Sequence, residues 1–137
     1  MFEFLKSKPI KTLGQLGEEF AQEEYKKRGY KIIAANFFNK KGLRKGEVDF
    51  IATDKHTIIF AEVKTRQAGN SKFGTGQEAV NQFKQLKLLK AVKIFLLENP
   101  KYAELRPQID VCVVSYSEFD KPQFSAIIIS NAVEDSN

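Results

Sequence analysis

Apolar residues recur at helical spacing through Leu13, Leu16, Gly17, Phe20, Ala21 and Tyr25, the pattern of one buried helical face. Thr12 is placed to cap this helix, and Gly29, after Lys26-Lys27-Arg28, to stop it. The pattern then changes to strands. Tyr30 to Ala34, continuing into Phe37-Phe38, is the first. Gly46 to Ala52 and Phe60 to Arg66 follow, rich in β-branched and aromatic residues, with turn-like Thr53-Asp54-Lys55-His56 between them. These two are expected to pair as a hairpin. Gln77 to Glu98 predicts a long second helix ended by Asn99-Pro100, with Val80, Phe83, Ala91, Ile94 and Phe95 toward the core. Ile109 to Ser115 and Phe124 to Ser130 are apolar enough to predict strands buried on both faces.

The connecting segments add charge. Asn39 to Gly46 carries Lys40, Lys41, Arg44 and Lys45 with two glycines; it is either a solvated turn or a loop that grips phosphates. Gln67 to Gly76 is Gly-rich but lacks Walker spacing and Gly-Lys-Ser, so it predicts no nucleotide cradle. Residues 1–11, basic and containing Pro9, predict a flexible arm, and residues 133–137 a flexible acidic tail. A chain of 137 residues suffices for one domain with a modest core. No run is long enough to cross a membrane and Met1 to Lys6 has no signal-peptide pattern, so a soluble cytoplasmic protein is expected. The one cysteine, Cys112, excludes disulfides and predicts a buried structural thiol, and His56 in the turn predicts a solvated side chain. The net charge of +5 favours a polyanionic partner.

Strand alternation puts Glu62 and Lys64 on one face and Ala61, Val63 and Thr65 on the other. A hairpin register that sets Asp49 beside Glu62 brings two carboxylates together with an ammonium adjacent. A hard divalent cation of the Mg²⁺ type relieves their repulsion, which makes a candidate phosphodiesterase site. The alternative is an ordinary surface acid/base pair. Context favours the site, because these charges interrupt an apolar strand and require compensation. Glu18 falls at the edge of the first helix's apolar face, either within reach of the sheet or, with Glu19, as a first-turn acid suited to the helix dipole. Glu24 falls near the middle of that face, where it requires a basic partner or a rotated helix. On the second helix Lys84 and Lys87 fall on the core side, either snorkelling outward or pointing at a phosphate. Asp110, opening its strand, predicts a structural hydrogen-bonding residue and not a third metal ligand.

Gly17-Glu18-x-x-Ala21, Gly29-Tyr30, Gly46-Glu47-Val48-Asp49-Phe50-Ile51-Ala52, Glu62-Val63-Lys64-Thr65-Arg66, Phe73-Gly74 and Glu78-Ala79-Val80 with Lys84 together resemble the YraN-like (UPF0102) family. These small bacterial proteins are endonuclease-like and related to Holliday-junction resolvases of the PD-(D/E)xK superfamily. The resemblance implies an α/β, restriction-endonuclease-like αβββαβ core, a central mixed sheet flanked by helices. It implies Asp49, Glu62, Glu18 and the Val63 carbonyl as metal ligands for Mg²⁺ or Mn²⁺, with Lys64 catalytic. DNA, branched or structured, is the implied substrate; the basic side chains of Lys40, Lys41, Arg44, Lys45, Arg66, Lys84 and Lys87 are expected to contact it, and a homodimer is expected if two strands are cut. The alternative is a non-catalytic nucleic-acid-binding module on the same fold. Gln108-Ile109-Asp110 departs from the family's Arg-Phe-Asp.

Overall fold

The computed structural model describes residues 10–35, 48–68, 82–118 and 123–133. Helix α1 spans Leu13–Lys27, followed by strands β1 (Lys31–Ala35), β2 (Phe50–Thr53) and β3 (Thr57–Gln67). Helix α2 (Gln82–Glu98), a 3-10 turn (Pro100–Tyr102), β4 (Arg106–Ser117) and β5 (Gln123–Val133) complete the order. The chain therefore has the α-β-β-β-α-β succession, extended by β5.

Both ends of α1 are fixed by its own sequence. Thr12 Oγ1 accepts from the Gln15 N–H at 3.1 Å and Gln15 Oε1 accepts from the Thr12 N–H at 2.8 Å, a capping box. At the other end Gly29 takes φ +93°, and the Gly29 and Tyr30 N–H groups donate back to Lys26 and Tyr25 carbonyls. This is the Schellman closure, and the Tyr30 ring packs edge-on against Tyr25 across it.

The five strands form one mixed sheet in the order β1-β2-β3-β4-β5. β2 and β3 form the expected hairpin, antiparallel, with Phe50 opposite Ala61 and Thr53 opposite Ile58. Asp54 Oδ1 accepts the His56 and Thr57 N–H groups in its turn, and the His56 side chain is exposed. β3 and β4 run parallel along their full length, Thr57 opposite Arg106 through Gln67 opposite Tyr116, joined by the crossover that contains α2.

Alternation along β3 separates two cores. Ile58 and Phe60 face α2, packing with Leu88, Ala91, Val92 and Phe95. Ile59 and Ala61 face α1, packing with Ala21, Tyr25, Phe50, Cys112 and Val114. Cys112 is fully buried, as expected, and burial pushes its thiol up to about 12. The folded chain should therefore resist thiol-disulfide reagents at pH 8 and react only after unfolding, by comparison of native and denatured labelling rates.

Several elements differ from expectation. β5 is half exposed: Ser125 and Ile127 face outward, because an edge strand has a neighbour on one side only. Its strand runs on to Val133, which pairs with Ile109, so Val133, expected in the tail, belongs to β5, and residues 134–137 lie outside the described residues. Lys11, placed in the flexible arm, is paired with Glu19 at 2.6 Å. Leu88 and Val92 join Ala91 and Phe95 in the core face of α2, which turns Lys87 outward, away from its expected core side. Glu24 is half-buried and meets Lys27 at 3.4 Å. The Phe37-Phe38 continuation and residues 77–81 of the second helix lie outside the described residues. No helix among the described residues is long and apolar enough to cross a membrane.

Candidate functional site

The site lies where β2 ends and β3 continues. β2 pairs with β3 as far as Phe50 opposite Ala61, which carries Asp49 to the level of Glu62. The Asp49 N–H still donates to the Ala61 carbonyl at 2.9 Å, but Asp49 itself is a bend. Its Oδ2 accepts the Val63 N–H at 2.7 Å, so a side-chain oxygen takes the ladder position that the next backbone carbonyl would fill. The carboxylate is thereby held at the sheet edge. The Val63 carbonyl points to the same edge as its N–H, since both groups of one strand residue face one side.

Glu62 and Lys64 share the α2 side of the sheet with Phe60. Glu62 is 5% exposed, and its Oε1 lies 3.4 Å from Lys64 Nζ, on a partly buried side chain. Arg66 continues the same alternation two residues on and is half-buried. Glu18 comes from the other side. Gly17 seats α1 directly on β3: a Cβ there would stand 2.9 Å from Thr65 Cβ and Cγ2, and closer still to Oγ1. One residue on, the Glu18 carboxyl shares a hydrogen bond with Asp49.

These contacts set the electrostatics. Burial first, then the Asp49 charge and hydrogen bond, push the Glu18 carboxyl up to about 7. Asp49 is also raised, chiefly by burial and next by the Glu62 charge, against the lowering effects of the Val63 N–H, the Glu18 hydrogen bond and Lys64. Near neutral pH the Glu18–Asp49 pair holds a proton between two carboxyl groups.

A raised carboxyl pKa means that the folded chain binds more protons than the unfolded one between about 4.5 and about 7. Its stability contribution is full below that window and is lost as pH rises through it. Without divalent metal, wild type should lose stability from pH 5 to 8 more steeply than Glu18→Gln, by urea denaturation in EDTA. Equal slopes would show that Glu18 does not titrate in this environment.

Asp49 is the junction: Glu18 reaches it from the α1 face and Glu62 stands beside it on the α2 face. Among the described residues no three His, Cys, Asp or Glu side chains form a closed metal-holding group. The donor set nevertheless fits a hard divalent cation by its chemistry. It consists of carboxylate oxygens and an edge-facing carbonyl, and mutually repelling acids are what such an ion stabilises.

The sequence-predicted residues Glu18, Asp49, Glu62, Val63 and Lys64 are thus brought together, with Arg66 beside them. Lys87 is exposed on α2, and Lys84 lies on α2 with its side chain outside the described set. Lys40, Lys41, Arg44 and Lys45 lie outside the described residues. Asp110 is structural, as expected, and buried: Tyr25 O–H donates to its Oδ2, and Gln108 Nε2 and the Asn131 N–H donate to its Oδ1 at 2.9 and 3.1 Å. Gln108, which departs from the family pattern, thus still supplies a donor to Asp110. Sequence reasoning placed Gly17 on the apolar face without its role; a glycine inside a helix, costly by propensity, was the available signal of close approach.

A family model described as "Uncharacterised protein family UPF0102" matches residues 17–114. The chain is similar to UPF0102 proteins of Carboxydothermus hydrogenoformans, 39% identical over 100 residues, 73% of this chain and 79% of that one. It is 38% identical over 104 residues to one of Caldanaerobacter subterraneus, 76% of this chain and 80% of that one. A Clostridium botulinum relative is 33% identical over 124 residues, 90% of this chain and 95% of the relative.

Proposed function

The chain belongs to the UPF0102 family, and from that premise we propose that it is a metal-dependent endonuclease hydrolysing phosphodiester bonds in structured or branched DNA. The observation that carries this reading is the meeting of Glu18 and Glu62 at Asp49, with Lys64 Nζ 3.4 Å from Glu62 Oε1. Three acids and an amine at the end of an apolar hairpin cost stability, and phosphoryl chemistry gives them a use.

Glu18, Asp49, Glu62 and the Val63 carbonyl would hold Mg²⁺ or Mn²⁺, which when bound lowers the pKa of a coordinated water and neutralises phosphate charge. The chain's own groups do the rest. The Val63 N–H fixes the Asp49 carboxylate, so its second oxygen keeps one direction. Lys64, partly buried, presents an ammonium where negative charge grows on the scissile phosphate. Glu18, brought to Asp49 by helix α1, would complete the oxygen donor set from the α1 side. Arg66, on the same strand face, extends positive charge along β3 toward the flanking backbone.

The test is cleavage of single-stranded, duplex, flap and four-way-junction DNA with Mn²⁺ against EDTA. Metal-dependent cutting, strongest on a branched substrate, is expected. Salt-sensitive binding with no cutting of any substrate would replace this reading with a non-catalytic nucleic-acid-binding module.

A further inference from the structure

We propose that Tyr25 and Asp110 are a positioning pair, which locks helix α1 in register on the sheet so that Glu18 meets Asp49. The inference rests on the nuclease reading only for its consequence in catalysis; the positioning itself is a property of the fold.

Besides the apolar packing of Ala21, two specific contacts seat helix α1 on the sheet. The first is Gly17 on Thr65, too close for any larger residue. The second is Tyr25, whose O–H donates to Asp110 Oδ2. Tyr25 and Asp110 are 2% and 1% exposed, so water does not compete for this hydrogen bond. Asp110 is itself immobilised, since its other oxygen accepts from Gln108 Nε2 and the Asn131 N–H. Asn131 adopts φ 52°, a left-handed backbone that turns its N–H onto this carboxylate. Cys112 Sγ adds a 3.7 Å contact to the Tyr25 oxygen.

The two points match in spacing. Gly17 and Tyr25 are eight helical residues apart, about 12 Å along the axis. Asp110 lies opposite Ala61 in the β3–β4 register, and from Ala61 to Thr65 is four strand residues, about 13 Å. Helix and strand therefore agree in length between their two contacts, and α1 runs antiparallel to β3. One contact fixes a point on a helix; two fix its translation and its tilt. Glu18 is next to the first and seven residues, or two turns, from the second, on the same helical side as Tyr25. A buried phenol–carboxylate bond also has a direction, which apolar packing lacks, so it selects one rotation of α1 among those its apolar face allows.

The test compares Tyr25→Phe and Asp110→Asn with a control, Ile58→Ala, buried on the opposite face of the same sheet. Tyr25→Phe keeps the ring contacts with Tyr30 and Phe50 and removes only the hydroxyl. Asp110→Asn can keep an oxygen for the Gln108 and Asn131 donors only by turning its amide to the Tyr25 oxygen, which replaces the charge-assisted bond by a reversed, neutral one. The activity-independent readout is the NMR shift of the Val63 amide proton, which reports the Asp49 hydrogen bond at the far end of the helix, together with hydrogen exchange of Gly17 to Ala21. Both positioning variants should move the Val63 signal and speed exchange at least about tenfold, while Ile58→Ala, compared at equal distance from its unfolding midpoint, does neither. On a cleaved DNA substrate with Mn²⁺, kcat should fall about tenfold with KM changed less than twofold. An unmoved Val63 signal in both variants, or an equal effect in Ile58→Ala, overturns the positioning role whatever the activity. A moved signal in a chain that cuts no DNA leaves the positioning role standing and removes the nuclease reading.

Discussion

Asp49→Asn should abolish cleavage and raise the melting temperature of the same protein. The two effects have one origin. Asp49 is a half-buried carboxylate beside Glu62, raised by desolvation and by that second charge. Asparagine keeps an oxygen to accept the Val63 N–H now 2.7 Å from Oδ2, and presents an amide donor toward the neighbouring acids. The repulsion disappears with the charge. At pH 8 in EDTA the melting temperature should rise by a few degrees, as expected when a destabilised functional site is neutralised. Metal-dependent cleavage should fall by at least about 10²–10³-fold, since a charged oxygen central to the site is gone.

Lys64→Ala provides the contrast. It should lower the rate comparably but also lower the melting temperature, because it removes the ammonium 3.4 Å from a buried carboxylate. Differential scanning calorimetry alongside the cleavage assay reads both. A lower melting temperature in Asp49→Asn with cleavage intact would make Asp49 a structural residue that merely finishes the hairpin.

Gly17→Ala should be the most damaging single-methyl change in helix α1. On propensity alone alanine should stabilise a helix interior by up to about 1 kcal/mol. Here the added Cβ would stand 2.9 Å from Thr65 Cβ and Cγ2, atoms of a half-buried side chain on a strand held in place there by its pairing with Val114 of β4. The helix must lift, and overpacking of this kind costs about 1–3 kcal/mol. The lift also draws Glu18 from Asp49, so activity should fall with stability. Thr65→Ala removes the hydroxyl and methyl that obstruct the new Cβ and should restore part of the loss. Urea denaturation of the two single variants and the double variant should give a coupling energy of about 1 kcal/mol or more. A neutral or stabilising Gly17→Ala would show that α1 is not seated on Thr65.

Much of this protein is written locally in its sequence. Thr12, Gln15 and Gly29 define α1 through groups within a few residues of one another, and these contacts form whatever the rest of the chain does. The Glu62-Val63-Lys64 alternation is likewise a property of any strand. The hairpin follows from a short turn between two apolar runs, and its register puts Asp49 level with Glu62. Local information failed where exposure depends on neighbours. Ile127 is 67% exposed because β5 is an edge, and the apolar run gives no sign of which strand will lie outermost. Lys87 faces outward because Leu88 and Val92 occupy the core face of α2, a rotation decided by packing against β3 and β4.

What the sequence by itself determined is therefore the set of elements, the candidate acids and the lysine. The tertiary structure alone decided that Asp49 occupies the sheet edge through the Val63 N–H, that Glu18 reaches it across the seat of Gly17 on Thr65, and that Tyr25 anchors the same helix to Asp110. The physical reason is range. Backbone hydrogen bonds and alternation act over a few residues, whereas the Tyr25–Asp110 bond joins positions 85 residues apart and exists only once the sheet and α1 have packed.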